Sequence, residues 1–103
     1  MDARLEDIVS RLVAAYHPER VYLFGSHARG DVGPDSDYDL LVIVPDDAPL
    51  ERRRSRLAYE ALRGTGLAVD VIVWTREYFE RRRKVRASLP AIVEREGKLL
   101  HVA

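Results

Sequence analysis

The sequence lacks the residues that cross-link small proteins or anchor them in membranes. Its 103 residues include no cysteine, one methionine and one tryptophan. Without cysteine, the chain can form neither a disulfide framework nor a thiolate metal site. No stretch approaches the roughly 18 apolar residues of a membrane-spanning helix, and the charged N-terminal segment does not resemble a signal peptide. We therefore expect a cytoplasmic protein that does not contact the membrane.

A net charge of either sign is also missing, because 17 lysines and arginines balance 17 aspartates and glutamates. Nucleic-acid-binding domains usually carry a basic excess, so we expect no direct nucleic-acid binding. Positive charge is nevertheless concentrated at 52–56 and 81–86. The simplest interpretation is a solvated helix face paired with nearby glutamates, and the alternative is a docking surface for an acidic partner or an RNA.

The length of the chain predicts one domain, residues 1–103. Apolar residues recur at helical spacing near the N-terminus, and short apolar runs at 21–24, 38–44 and 67–74 indicate buried strands. The predicted element order is α-β-α-β-α-β-α-α-β. Such alternation predicts an α/β (α+β) fold, with helices flanking a mixed β-sheet.

Local signals predict where several elements begin and end. Asp2 is positioned to cap the first helix, and His17 precedes a proline that ends it. Asp47 is positioned to cap a helix that begins near Pro49, includes Leu62 on its apolar side and is stopped by the glycines at 64 and 66. The apolar tail at 99–102 predicts an edge strand, through which a homodimer could form.

Gly25 and Ser26 lie at a predicted turn from strand to helix. Glycine lets the backbone approach a ligand closely, and the N–H groups at the start of a helix can bind phosphate. The pair therefore indicates a phosphate-binding turn. The signal is weak by itself, because many strand-to-helix turns contain Gly-Ser.

Three aspartates are candidates for catalysis and metal binding. Asp37 and Asp39 are two residues apart at the start of a strand, so their side chains should share a face. Adjacent carboxylates repel unless a cation or proton lies between them, and Mg²⁺ prefers oxygen ligands. Alternatively, Asp37 is only a turn former and Asp39 pairs with an arginine.

Asp70 interrupts an otherwise apolar run and is expected to be buried. A buried carboxylate needs a partner, which is either an arginine or a metal ion shared with Asp37 and Asp39. If the two strands are neighbours, the three carboxylates form one cluster. Two Mg²⁺ ions in such a cluster could bind a nucleotide triphosphate and activate an acceptor hydroxyl.

The segments GSHARG at 25–30 and SDYDL at 36–40 together resemble the signature of polymerase-beta-type nucleotidyltransferases. The chain most resembles the minimal nucleotidyltransferase (MNT) family of prokaryotes. The resemblance implies metal binding by Asp37, Asp39 and Asp70, and contact of Gly25 and Ser26 with the triphosphate.

The same motif leaves two residues less defined. Arg29 either braces the turn or contacts phosphate. His27 occupies a variable position of the motif and is expected on the helix surface.

Many MNT proteins are encoded beside a HEPN-domain protein, and the pair resembles a toxin–antitoxin system. The leading hypothesis is therefore an Mg²⁺-dependent transferase that moves AMP from ATP to a HEPN partner. One alternative is a non-catalytic module that neutralises the partner by stoichiometric binding. Another is a subunit of a split antibiotic-modifying transferase.

Overall fold

A four-stranded mixed sheet organises the computed structural model, which describes residues 2–30 and 37–103. The strands are β1 (Arg20–Phe24), β2 (Tyr38–Val44), β3 (Val69–Thr75) and β4 (Lys98–Val102). Their spatial order is β3-β2-β1-β4. β1 is antiparallel to β2 and β4, whereas β2 is parallel to β3. The predicted mixed sheet, with 38–44 as a central strand, is confirmed.

Helices lie between the strands in the predicted order. They are α1 (Ala3–Tyr16), α2 (Gly25–Arg29), α3 (Arg56–Ala61), α4 (Arg76–Arg83) and α5 (Leu89–Glu96). A short 3-10 helix, Leu50–Arg53, precedes α3. Within the described ranges, no helix has the length and apolar character needed to span a membrane.

The two faces of the sheet are covered by different helices, because alternate residues of a strand point to opposite faces. One face packs against α1 and α3, and its buried residues include Leu23, Leu40 and Val42. The other face carries Tyr22, Leu41 and Ile43, which cluster with Phe79 of α4 and Val93 of α5. The fold therefore has a central sheet between two helical layers.

The predicted ends of α1 are confirmed. The Asp2 carboxylate accepts a hydrogen bond from the Leu5 N–H at 2.7 Å. His17 ends the helix in the left-handed conformation, with φ at 48°. Each end of α1 depends on residues within a few positions of it, so the sequence alone was sufficient to predict both ends.

The prediction of one helix from near Pro49 to Leu62 was wrong. Arg54 is extended and separates the 3-10 helix from α3. The Tyr16 hydroxyl donates to the Arg54 carbonyl and accepts from the Ala58 N–H. In a continuous helix these two backbone groups would bond to each other, so the inserted hydroxyl accounts for the break.

The prediction that Asp47 caps this region was wrong, because no side chain among the described residues caps the 3-10 helix or α3. The neighbouring Asp46 has a capping role instead. Its carboxylate accepts from the Glu77 N–H at 2.8 Å, at the start of α4.

The prediction of a fully buried strand near 67–74 was also wrong. β3 lies at the edge of the sheet, and most of its residues are only half-buried, including Trp74. β4 forms the opposite edge, as predicted, and its Leu99 and Val102 are 51% and 59% exposed. Homodimer formation through this strand remains a prediction.

Candidate active site

The register of β2 and β3 brings two of the predicted aspartates together. Asp39 is the direct partner of Asp70 in this parallel pair. Neighbouring strands are roughly 4.8 Å apart, and residues in register point to the same face. The carboxylates of Asp39 and Asp70 therefore lie side by side at the end of the sheet where β1 ends and β2 begins.

The position of Asp70 differs from the sequence-based prediction in one respect. Its side chain is exposed rather than buried, because β3 is an edge strand. Burial therefore does not oblige Asp70 to have a partner, and its position instead makes it accessible to a molecule that approaches the edge of the sheet.

Asp37 is exposed and immediately precedes β2. Ser36, the first residue of the SDYDL segment, lies outside the described residues. Asp37 nevertheless acts electrostatically on Asp39. Burial raises the pKa of the Asp39 carboxyl above its ordinary value, and the charges of Asp70 and Asp37 raise it further. Asp39 therefore lies close enough to both other aspartates for their charges to raise its pKa.

The Gly25 turn packs directly against the Asp39 carboxylate. Gly25 has a φ of +73°, a backbone conformation that glycine adopts readily because it has no Cβ atom. A Cβ atom added to Gly25 would overlap Oδ2 of Asp39 and lie 3.1 Å from its carboxyl carbon. Ser26 follows, half-buried, in the five-residue helix α2. The predicted phosphate-binding turn and the acidic pair are therefore one site.

His27 is half-buried rather than on the helix surface. Its ring stacks on Tyr38 with centroids 4.0 Å apart and an interplanar angle of 16°. Tyr38 lies between Asp37 and Asp39 in the sequence, so the stack joins α2 to the acidic segment. The sequence contained one signal for this contact: GSHARG includes the ring of His27, and SDYDL includes the ring of Tyr38.

Two nearby basic side chains oppose the effect of the carboxylates on Asp39. His27 and Arg29 both lower the pKa of Asp39, but burial and the neighbouring aspartates outweigh them. Arg29 is exposed at the end of α2. All the predicted site residues therefore lie in or next to the turn, the start of β2 and the start of β3.

The site offers oxygen ligands to a divalent cation. Among the described residues, no three carboxylate or imidazole groups are arranged as a complete metal cage. Mg²⁺ usually keeps several waters and binds through one or two carboxylates together with substrate phosphates. Asp39 and Asp70 provide such a pair, and their mutual repulsion favours a cation, so the residues fit Mg²⁺ binding.

Comparison with known proteins agrees with this geometry. Residues 3–99 match the family model described as "Nucleotidyltransferase domain". A protein of Methanocaldococcus jannaschii named "Putative protein adenylyltransferase" is 30% identical over 101 aligned positions, and the match covers 94% of this chain and 94% of that protein.

Several solved structures share the fold. A "putative nucleotidyltransferase" from Sulfolobus solfataricus superposes with a TM-score of 0.62 and 24% identity, covering 96% of this chain and 78% of that one. A toxin–antitoxin complex with AMP-PNP gives a TM-score of 0.61 and 24% identity, over 95% and 73% of the two chains. A MntA-HpeT toxin–antitoxin mutant gives 0.59 and 21%, also over 95% and 73%.

The family match spans nearly the whole chain, and the site contains the acidic pair and glycine turn that the motif predicts. This chain therefore belongs to the nucleotidyltransferase domain family and is a nucleotidyltransferase.

Proposed function

We propose that this chain transfers AMP from ATP to a hydroxyl group on a HEPN-domain partner protein, and so acts as an antitoxin. The observation that carries the proposal is the register of Asp39 with Asp70 beside the Gly25 turn. The relative named as a protein adenylyltransferase supports adenylyl transfer to protein. The two toxin–antitoxin structures with this fold support a toxin as the partner.

The charges of the substrate and the site require a cation between them. A nucleotide triphosphate carries about four negative charges, which the aspartates would repel. We propose that Asp37, Asp39 and Asp70 hold two Mg²⁺ ions, which would neutralise the triphosphate and make the acceptor hydroxyl easier to deprotonate.

The turn is proposed to orient the nucleotide. Gly25 lets the backbone approach the phosphates, and Ser26 offers a hydroxyl and an N–H group in the first turn of α2. Arg29, at the other end of this short helix, adds positive charge beside the site. These contacts would align the α-phosphate with the acidic pair.

Asp70 is proposed to serve the acceptor, because its carboxylate is exposed at the edge of the sheet. It would receive the proton of the acceptor hydroxyl as the oxygen attacks the α-phosphorus. The new O–P bond forms while the bond between the α-phosphorus and the bridging oxygen breaks. Pyrophosphate leaves, and the acceptor retains AMP.

A transfer assay tests the proposal. The protein is incubated with α-labelled ATP, magnesium and the product of the neighbouring gene, which is the proposed HEPN-domain partner, and label on protein is measured. We expect labelled partner with the wild type and with Asp47→Asn, which alters an exposed aspartate of the β2–α3 connection. We expect no label with Asp39→Asn or Asp70→Asn.

The same variants separate catalysis from stoichiometric binding. If Asp39→Asn still neutralises the toxicity of the partner fully, neutralisation occurs by binding, and the proposed antitoxin mechanism is wrong. If the wild type labels no partner with any of the four nucleotides, the proposed acceptor is wrong.

A further inference from the structure

An aromatic and basic surface lies where β3 meets α4. The ring of Trp74 contacts Tyr78 edge-on, with centroids 4.7 Å apart and an interplanar angle of 70°. The guanidinium carbons of Arg81 and Arg82 each lie 5.5 Å from the centroid of the Tyr78 ring. We call this area, together with the following Lys84 and Arg86, the α4 basic surface.

Part of the positive charge on this surface is not neutralised. All residues from 81 to 87 are exposed. Arg81 forms an ion pair with Glu77 at 3.5 Å. Within the ranges 2–30 and 37–103, Arg82, Lys84 and Arg86 form no ion pair. The interpretation of this run as a solvated face paired with nearby glutamates therefore holds only in part, and three cations remain available to a partner.

An exposed apolar side chain is set among these cations. Val85, between Lys84 and Arg86, is 60% exposed. Tyrosine, tryptophan and arginine are enriched among the residues that dominate binding energy in protein interfaces. The composition of the α4 basic surface is therefore typical of a protein-binding surface.

The α4 basic surface and the acidic pair are on the same side of the sheet. Trp74 is four residues beyond Asp70 on β3, so alternation places both side chains on the face that α4 covers. Four residues of a strand span about 13 Å. Because β3 is an edge strand, an extended segment of another protein could follow this distance from Trp74 to Asp70.

We propose that the α4 basic surface binds an acidic segment of the acceptor protein and thereby delivers the acceptor hydroxyl to Asp70. This inference rests on the proposed function, since it takes the partner to be the substrate. The distance from Trp74 to Asp70 limits the repulsion between the acidic segment and the aspartates of the active site. At physiological ionic strength the Debye length is about 8 Å, so an acidic segment near Trp74 is largely screened from Asp39 and Asp70.

An acidic protein fits the α4 basic surface better than a nucleic acid does. Glu77, Glu80 and Glu94 lie beside the arginines and form ion pairs with Arg81 or Arg83. These carboxylates divide the positive charge into short stretches, which suit a short acidic segment better than a long, continuous phosphate backbone. The chain also has no basic excess overall.

Binding of a labelled peptide tests the surface separately from catalysis. The probe is a fluorescent peptide of six glutamates, four glycines and a tyrosine, and binding is followed by fluorescence anisotropy. The test variant combines Arg82→Gln, Lys84→Gln and Arg86→Gln. We expect its Kd for the peptide to rise about tenfold or more.

The matched control removes the same charge from the other side of the molecule. It combines Arg4→Gln, Arg54→Gln and Arg63→Gln, which alter exposed arginines without an ion pair in the described ranges. We expect its Kd to change by less than about twofold. Melting temperatures of both variants establish that they are folded. Equal weakening in both variants would overturn the proposal, because net charge alone would then explain binding.

Two further measurements keep the proposal falsifiable if the test variant does not fold. Peptide binding to the wild type should weaken as salt is raised from about 0.05 to 0.3 M, and binding that does not respond to salt contradicts the inference. A single-stranded RNA of the same charge should bind more weakly than the peptide. Tighter RNA binding overturns the choice of partner.

Failure of this inference can be told from failure of the proposed function. With the HEPN-domain protein as acceptor, the triple glutamine variant should raise the KM for the partner and leave the KM for ATP unchanged. Normal labelling by this variant refutes the docking surface alone. Peptide binding without any labelling by the wild type refutes the proposed transfer alone.

Discussion

Gly25 is in van der Waals contact range of the Asp39 carboxylate, and the space between them admits no Cβ atom. The end of β1 and the start of β2 are held together at this point, since Phe24 is the register partner of Asp39. The glycine therefore fixes the position of the proposed phosphate-binding turn relative to the Asp39 carboxylate.

The Gly25→Ala variant should lose transfer activity by about a hundredfold, because a small displacement of the turn misaligns the nucleotide with the acidic pair. The transfer assay measures the loss. Gly66→Ala is the matched control, since Gly66 has a similar φ of +69° but no atoms within 4 Å of the added Cβ. Both variants carry the backbone strain of alanine at positive φ, about 1–2 kcal/mol. Comparable activity in the two variants would contradict the proposed role of the contact.

Asp39→Asn should stabilise the metal-free protein at neutral pH while abolishing transfer. The pKa of Asp39 is raised in the folded state, first by burial and then by Asp70 and Asp37. The folded state therefore binds this proton more tightly than the unfolded state. The stability that protonation of Asp39 contributes is fully present below the ordinary carboxyl pKa of about 3.9. It is lost as the pH rises through the raised pKa of the folded state.

Thermal melts in a chelating buffer check this pH dependence. The melting temperature of Asp39→Asn should exceed that of the wild type at pH 7, and the difference should disappear near pH 3. Asp47→Asn, in an exposed loop, should follow the wild type at both pH values. A difference that persists unchanged at low pH would mean that the repulsion among the carboxylates is not its cause.

Magnesium should raise the melting temperature of the wild type, because a ligand of the folded state alone stabilises that state. At ten times its Kd the gain is about 1.4 kcal/mol, or roughly 6–7 °C for a domain of this size. Asp70→Asn should reduce the gain, and an equal ionic strength of sodium chloride should not reproduce it. If magnesium does not change the melting temperature of the wild type, either with or without ATP, the proposed metal site is excluded.

Tyr16→Phe should destabilise the fold by about 1–2 kcal/mol, because the Arg54 carbonyl loses its donor. The Tyr16 side chain is fully buried, and burial raises its pKa to about 12, so the hydroxyl remains a donor at neutral pH. Denaturant unfolding measures the change. Tyr59→Phe, at a side chain that is 55% exposed, should leave stability unchanged. If Tyr16→Phe is neutral, the inserted hydroxyl does not stabilise the break before α3.

The sequence determined the features that depend on neighbouring residues. The element order, the capping of α1 by Asp2 and the strand at Tyr38–Val44 all follow from local patterns, because hydrogen bonds and side-chain alternation act over a few positions. The motif GSHARG with SDYDL was likewise sufficient to identify the family and to locate the turn and the acidic segment.

Tertiary structure alone decided how these features meet. The order of the strands makes Asp70 the partner of Asp39, yet it also leaves β3 at the edge and Asp70 exposed. Tyr16 breaks the helix near Arg54 from 38 positions away. Apolar periodicity describes which face of an element is buried, but it does not specify which element covers that face. Strand order and side-chain insertion depend on contacts between distant residues, and these are fixed only when the whole core packs.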